Sequence, residues 1–225
     1  LWNTTSVAEG TYTISANATI TIDAQSADNY FIDGNVTIGG ISDINVTDVW
    51  AGYNVTDPIH RVKTIVGQGY NVTIYVTVKN EGDFNETNIE VTAYWSNSSQ
   101  ANQTIGSTMI EELLINESKT VSISWNTTGL TKYLNYTIKA YTHPVSGETD
   151  LADNTFTCGN VTVVLVGDIN ADKKVDIEDI FTIALHYGCS CGDPCFIPNY
   201  DINGDCKIDI EDIFIAAEHY GETYP

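Results

Sequence analysis

The chain has 225 residues, of which 30 are Asp or Glu and 9 are Lys or Arg, so the formal net charge is -21. An acidic surface of this strength repels phosphates and anionic headgroups, which argues against nucleic acids and charged lipid surfaces as partners. Hydrophobic residues make up 42% of the chain, too many for a disordered protein. No apolar run approaches the roughly 18 residues that a membrane-spanning helix needs.

The first 40 residues resemble a later part of the same chain. The paired landmarks, each followed by the same two or three residues, are Trp2 and Trp125, Tyr12 and Tyr136, Ala27 and Ala152, and Gly34 and Gly159. We therefore predict that residues 1–40 are the C-terminal half of a domain whose complete copy follows. Because the chain starts at Leu1 without a signal-peptide pattern, we expect a processed chain or a piece of a longer one.

Residues 41–165 carry the pattern of several short strands. Apolar and polar residues alternate in these runs, which is typical of strands with one buried face. The predicted strands are Ile44–Tyr53, Val72–Lys79, Ile89–Trp95, Thr120–Trp125, Tyr136–Tyr141 and Phe156–Leu165. Turn signals such as Asn80–Gly82 and His143–Gly147 separate them, so the sequence predicts a mainly β fold built on an Ig-like antiparallel β-sandwich.

Thirteen Asn-X-Ser/Thr sequons predict N-glycosylation. They lie at Asn3, Asn17, Asn35, Asn45, Asn54, Asn71, Asn85, Asn97, Asn102, Asn116, Asn126, Asn135 and Asn160. Strand alternation places Asn71 opposite the apolar Val72, and therefore on the wet face. Asn is normally depleted from strands, so its repeated exposure there favours glycosylation outside the cell. The alternative is a polar face that is rich in Asn and Thr for other reasons.

Five cysteines indicate an oxidising compartment and hence an extracellular or cell-surface location. The disulfide candidates are Cys158, Cys189, Cys191, Cys195 and Cys206. A zinc site is disfavoured, because Cys189-Ser-Cys191 is not the usual knuckle spacing and no second knuckle follows.

A duplicated acidic segment predicts two calcium sites. Residues 168–181 recur as residues 201–214, with side-chain oxygens at loop positions 1, 3, 5, 9 and 12 and a main-chain carbonyl available at position 7. The predicted ligands are Asp168, Asn170, Asp172, Lys174, Asp176 and Asp179 in the first loop, and Asp201, Asn203, Asp205, Lys207, Asp209 and Asp212 in the second. Six or seven oxygens at this spacing suit Ca²⁺ better than Mg²⁺. The alternative is an Asp-rich solvated turn.

Each acidic loop is followed by a predicted amphipathic helix. Apolar residues such as Ile177, Ile180 and Phe181 recur at helical spacing and predict a face that packs on a core. His186 and His219 are expected to cap the helix ends rather than bind metal.

Residues 41–165 resemble the CARDB family of Ig-like adhesion modules, which occur in archaeal and bacterial surface proteins. The segments that carry the resemblance are Val62–Thr73, Val78–Gly82, Ser124–Thr128 and Gly147–Asn154. Residues 1–40 match the family in part. The resemblance implies a sandwich with a role in adhesion at the cell surface.

Residues 166–225 resemble the dockerin family, which implies a small helical domain with two EF-hand-type calcium loops that docks on a cohesin. Two departures are visible. The usual Gly at loop position 6 is replaced by Lys173 and by Cys206, which predicts a strained turn costing about 1 kcal/mol at each. The cohesin-recognition positions hold Ile177-Glu178 and Ile210-Glu211 in place of a Ser/Thr pair. The insert Cys189–Pro198 is predicted to be a disulfide-stapled linker, with Cys206 as a partner for one of its thiols.

No constellation of residues supports catalysis, so the sequence predicts a protein that is not an enzyme. Residues 1–40 would expose unpaired edges if left alone, and we expect them to add strands to a neighbouring subunit. Such a head-to-tail contact generates a fibre. The predicted protein is a glycosylated, calcium-stabilised homopolymer subunit of an archaeal extracellular fibre or surface layer. The alternative is an adhesion module that binds a cohesin partner, and a third possibility is a fragment of a carbohydrate-active enzyme.

Overall fold

The computed structural model describes residues 2–3, 7–18, 30–55 and 62–225. The chain divides into two compact units, Leu1–Ile41 and Ser42–Pro225. The repeat landmarks at Ala27–Asn29, and the threonines that follow Trp2-Asn3, lie outside the described residues.

The first unit contains an antiparallel pair of strands, β1 (Gly10–Asn17) and β2 (Tyr30–Ile38). Trp2 packs edge-on against Tyr12 with ring centroids 5.9 Å apart. Other large apolar side chains of the described part of this unit are exposed to solvent: Tyr30, Phe31, Ile32 and Val36. A two-stranded pair is marginally stable in water, because it has too little surface to bury.

The second unit begins with a β-sandwich. Its described strands are β3 (Ile44–Ala51), β4 (Ile65–Gly67), β5 (Asn71–Asn80), β6 (Glu86–Ser96), β7 (Gln103–Leu113), β8 (Ser118–Asn126), β9 (Asn135–Thr142) and β10 (Thr155–Val164). One sheet has the order β4-β10-β9-β6-β7 and the other the order β3-β5-β8. All neighbours are antiparallel except β4, which runs parallel to β10.

The alternating sequence of the strands explains how the two sheets pack. In β5 every second side chain, from Val72 to Val78, is buried. Tyr136 lies at the centre of the core and contacts Trp95 and Trp125 edge-on, at centroid distances of 5.1 and 5.8 Å. Each of the six predicted strands is present, with ends that differ by at most three residues. The prediction of a mainly β fold with a sandwich is confirmed, and β4 and β7 are the described strands of the sandwich that it missed.

The C-terminal region, residues 166–225, contains helices α1 (Ile177–Leu185) and α2 (Ile210–Glu218). Both begin with a capping box, formed by Asp176 and Asp179 in α1 and by the equivalent aspartates in α2. The residues of this region form a second hydrophobic core, in which Ile183 and Phe196 are each 0% exposed. This core extends to Tyr53 of the sandwich. Within the described ranges, no helix is both long and apolar enough to cross a membrane.

The predicted apolar face of the helices packs on this core only in part, through the half-buried Ile180 of α1 and Ile213 of α2. Ile177, Phe181 and Leu185 are at least 60% exposed, whereas the buried face of α1 is formed by Asp179 and Ile183. The rest of the predicted face is exposed, because the loop carboxylate Asp179 and Ile183 occupy the side of α1 that is buried. The equivalent Ile210 and Phe214 of α2 are exposed to the same degree.

Candidate metal centres and modified surface

The two acidic loops, loop 1 (residues 168–179) and loop 2 (residues 201–212), have the same backbone turn. In loop 1, Asp168 accepts hydrogen bonds from the backbone N–H groups of Asp172 (3.2 Å) and Lys173 (2.9 Å). In loop 2, Asp201 accepts the equivalent bonds from Asp205 (3.2 Å) and Cys206 (2.8 Å). The predicted ligand at position 1 therefore organises both turns in the same way.

The other predicted ligands of loop 1 line this turn. Asn170 accepts a bond from the Asp172 N–H (2.9 Å), and Asp172 accepts one from the Lys174 N–H (3.2 Å). Asp179 accepts bonds from the backbone N–H groups of Ile169 (3.1 Å) and Asp176 (3.0 Å), which ties loop position 12 to positions 2 and 9. Loop 2 repeats these contacts with the corresponding ligands, Asn203, Asp205, Lys207, Asp209 and Asp212.

Position 6 of both loops has the left-handed backbone that the sequence predicted. Lys173 has φ of 75° and Cys206 has φ of 74°. These residues lack the freedom of the usual glycine, so each turn is strained by an amount on the order of 1 kcal/mol. The hydrogen bonds to Asp168 and Asp201 hold this conformation.

Both loops are anchored to the sandwich. The Tyr133 hydroxyl donates to the Asp168 carboxylate at 2.6 Å. The buried ammonium of Lys63 donates to the main-chain oxygen of Asp201, and burial lowers the pKa of Lys63 to about 8. Asn199 accepts bonds from the backbone N–H groups at the start of β4, at 2.9 and 3.0 Å. The C-terminal region is therefore part of the same packed unit as the sandwich.

The loops bury negative charge. Burial raises the pKa of three of their carboxyl groups above the ordinary value of 3.8: Asp179, Asp201 and Asp212. A buried carboxylate is costly unless a cation compensates it. In loop 1 the Lys174 ammonium bonds Asp176 and lies 3.2 Å from Asp172. The donor set fits a hard cation such as Ca²⁺.

A third acidic cluster, which sequence reasoning missed, lies at one end of the sandwich. Asp43, Glu148 and Asp153 each offer a carboxylate oxygen, and these oxygens lie within 4.8 Å of one another. Across the described ranges, no other set of three His, Cys, Asp or Glu residues meets this distance, those of loops 1 and 2 included. The loop carboxylates are therefore spaced more widely than those of this cluster. The sequence signal was the acidic run Gly147–Asn154, which sequence analysis assigned to the family pattern alone.

The third cluster is electrostatically unfavourable as it stands. Burial raises the pKa of Asp43, and the nearby carboxylates of Asp153 and Glu148 raise it further. Burial also raises the pKa of Asp153. Glu148 is fixed in place, because its two oxygens accept bonds from the backbone N–H groups of Ile44 (2.9 Å) and Val145 (2.8 Å).

The sequon asparagines lie on the protein surface. All thirteen are exposed except Asn45 and Asn97, which are half-buried. By contrast, Asn80 and Asn154 are 0% exposed, and neither lies in a sequon. The hydroxyl residues that complete the sequons of Asn3, Asn17 and Asn54 lie outside the described residues.

Several sequon side chains are oriented by their oxygen. Asn97 accepts from the backbone N–H groups of Ser99 and Gln100, and Asn126 accepts from that of Thr128. A backbone N–H can only donate, so it identifies Oδ1 as the acceptor. A glycan attaches to the amide nitrogen, and this nitrogen takes no part in these hydrogen bonds.

Two disulfides staple the insert between the loops. Cys189 pairs with Cys195, and Cys191 pairs with Cys206. The second bond confirms Cys206 as a partner for an insert thiol and ties the insert to position 6 of loop 2. Cys158 lies in β10 and takes part in neither disulfide.

Comparison with known proteins identifies the sandwich. Residues 55–158 match the model of the CARDB family, inside the range 41–165 that the sequence resemblance predicted. No curated protein gives a significant match to the chain.

Solved structures that match part of the chain include the CARDB domain of a Pyrococcus furiosus protein in complex with di-metal ions. It is 20% identical, with a TM-score of 0.39, and the match covers 55% of this chain and 90% of that one. A domain of a Methanosarcina acetivorans protein described as a cell surface protein is 20% identical, with a TM-score of 0.40 and coverages of 55% and 93%. A β-glucosidase from Erythrobacter marinus is 15% identical, with a TM-score of 0.37 and coverages of 55% and 16%.

Proposed function

Because residues 55–158 are a CARDB domain, we propose that this chain is a non-enzymatic glycoprotein subunit of an extracellular fibre or surface layer, stabilised by calcium. CARDB domains occur in cell-surface proteins. The exposed sequons and the two disulfides support an oxidising location outside the cell.

Calcium stabilisation is supported by loops 1 and 2. Both present the same order of oxygen donors on the same hydrogen-bonded turn, and both bury carboxylates that need a compensating cation. In this proposal, residues 166–225 are a dockerin-like domain that holds two calcium ions. Asp168, Asn170, Asp172, Asp176 and Asp179 would bind the first ion together with the main-chain carbonyl of Lys174, and the equivalent residues of loop 2 would bind the second.

The observation that carries the assembly proposal is the exposed strand pair of the first unit. β1 pairs with β2 so that Thr13 donates to Asn35 at 2.9 Å, and β9 pairs with β10 so that Thr137 donates to Asn160 at 2.7 Å. The β1–β2 pair therefore has the local register of β9–β10. In the sandwich those two strands are flanked by β4 and β6 and covered by the second sheet.

A sheet edge of a second copy is the acceptor in this proposal, because the sandwich already contains its own β9 and β10. The longest described edge strand is β7, with 11 residues. Adding β1 and β2 there would pair the open N–H and C=O groups of β7 and cover apolar side chains such as Phe31. Because the donor and acceptor surfaces differ, the contact repeats into a fibre.

Deleting residues 1–40 is expected to abolish fibres in electron micrographs. The remaining chain keeps the sandwich core and the C-terminal region, so its circular dichroism and its melting temperature in calcium should stay close to those of the full chain. Fibres that persist after the deletion would contradict strand donation.

A cohesin-type partner is the second candidate, and the exposed helix faces favour it. Ile177 and Phe181 of α1, and Ile210 and Phe214 of α2, present equivalent apolar surfaces to solvent. A groove of about 480 Å³ beside α2 is lined by Ile210, Phe214 and Tyr70. The test is whether the full chain captures a cohesin domain only in the presence of calcium, and whether Phe214→Ala loses this capture. Both results together would favour cohesin binding over fibre assembly as the function.

Glycosylation gives a separate prediction. In peptides from the native source material, mass spectrometry should find sugar mass increments on sequon asparagines such as Asn126. The exposed Asn88 lies outside any sequon and serves as the matched control, with no increment expected. Finding every sequon asparagine unmodified would contradict the proposed surface coat.

A further inference from the structure

The third acidic cluster points to a metal site within the sandwich itself. We propose that Asp43, Glu148 and Asp153 hold a divalent cation of the hard, oxygen-preferring class, for which calcium is the probe. Calcium binds oxygen at roughly 2.3–2.6 Å, so two ligands on opposite sides of one ion lie about 4.6–5.2 Å apart. The three carboxylate oxygens lie within 4.8 Å of one another, and therefore already have the spacing of a common ion.

Asn154 is an independent sign of a missing partner at this place. Its side chain is 0% exposed, and its Oδ1 is buried without a hydrogen bond. Its Nδ2 lies 3.0 Å from the Glu148 carboxylate, 3.2 Å from the Ile44 carbonyl and 3.3 Å from the Thr142 hydroxyl. The Glu148 carboxylate and the Ile44 carbonyl can only accept, so they fix which end of the amide is the nitrogen. The amide thus lies against the cluster with its oxygen unsatisfied.

Two carboxylate oxygens of the cluster are also buried without a hydrogen bond. Oδ1 of Asp43 and Oδ1 of Asp153 are buried and have no hydrogen-bond partner. Buried polar atoms in folded proteins are almost always satisfied, and an ion is one of the accepted explanations when the protein supplies no partner. With Asn154, three buried oxygens without a hydrogen-bond partner belong to one group of neighbouring residues.

The donor chemistry selects the class of ion. The cluster offers carboxylate oxygens, and neither His nor Cys is among its members. Such a set suits calcium or magnesium rather than zinc or copper. Glu81 and Asp150 add negative charge near Asp43, which further favours a cation.

The position of the cluster gives the ion a structural role. Asp43 directly precedes β3 of the three-stranded sheet, whereas Glu148 and Asp153 lie in the loop between β9 and β10 of the five-stranded sheet. The ion would therefore join the two sheets at one end of the sandwich. The site shares no residue with loops 1 and 2.

Calcium stoichiometry of the full chain tests the site. Equilibrium dialysis should show that Asp43→Asn binds one ion fewer per chain than the unsubstituted protein. The combined variant Asp168→Asn/Asp201→Asn should retain that ion, so a failure of the proposed loop sites is distinguishable from a failure of this one. Glu111→Gln, at an exposed carboxylate on β7, is the matched control and should not change the count. An unchanged count in Asp43→Asn would overturn the proposal.

Melting temperatures separate metal binding from a purely structural role. Asp43→Asn removes repulsion among the carboxylates, so in EDTA it should melt at the same temperature as the unsubstituted chain or higher. In calcium it should melt lower, because it has lost the ion. A decrease of the same size in both conditions would also overturn the proposal.

Discussion

Removing calcium is expected to unfold the C-terminal region well before the sandwich. If free calcium is at about a thousand times Kd, each independent site stabilises the native state by roughly 4 kcal/mol. Urea titrations followed by circular dichroism should therefore show a transition that moves to lower urea in EDTA. Asp201→Asn should reproduce about half of this shift, because it leaves loop 1 intact.

Glu178→Gln is the control for this experiment. It removes one negative charge at an exposed position in the first turn of α1, is not one of the proposed ligands, and keeps the backbone N–H that donates to Asp176. Its stability should depend on calcium as strongly as that of the unsubstituted chain. Identical urea midpoints in calcium and in EDTA would refute calcium stabilisation by the loops.

The same experiment has a pH dependence with a defined sign. Burial raises the pKa of Asp201 and Asp212 above 3.8, so the folded chain without metal binds protons more tightly than the unfolded chain does. The stability of that form is therefore highest below 3.8 as far as these groups are concerned, and it falls as the pH rises through their folded pKa values. Calcium requires ionised carboxylates, so the stability that it adds should grow over the same range.

Phe196→Ala should be the most damaging single substitution in the C-terminal region. Phe196 is 0% exposed and packs edge-on against Tyr53 with ring centroids 5.3 Å apart, so it joins the core of this region to the sandwich. Truncating a buried Phe costs about 3–5 kcal/mol, from lost transfer energy and the cavity left behind. We expect a loss of this size in the free energy of unfolding.

Phe181→Ala provides the matched control, because Phe181 is 60% exposed on α1. Surface substitutions usually change stability by less than about 0.5 kcal/mol. Chemical denaturation in calcium measures both variants. Equal effects of the two substitutions would show that Phe196 does not couple the region to the sandwich.

Strands with one fully buried face show the clearest pattern in the sequence. In β5 and β9 alternate residues are buried along the whole strand, so apolar residues recur at every second position of the sequence. β7 was missed because it is an edge strand, and Ile110 and Leu113 are its only fully buried residues. β4 has three residues, too few to show a period, and it exists because β10 lies beside it.

The helix face and the third acidic cluster could not be found from local pattern. Helical spacing shows that Ile177 and Phe181 share a side, but tertiary packing decides which side meets the core. Asp43 and Glu148 are far apart in sequence, and they meet because β3 begins beside the loop that joins β9 to β10. A pattern search within one segment detects neither arrangement.

The sequence by itself determined the features that repeat over a few residues: the alternating strands, the two loops with oxygen donors at fixed positions, and the sequons. These follow from local geometry, since side chains alternate along a strand and loop ligands lie within a single turn. Only the tertiary structure decided which surfaces remained exposed and which distant carboxylates met. Such contacts depend on how the sheets and helices pack, and the spacing of residues along one segment carries no record of that packing.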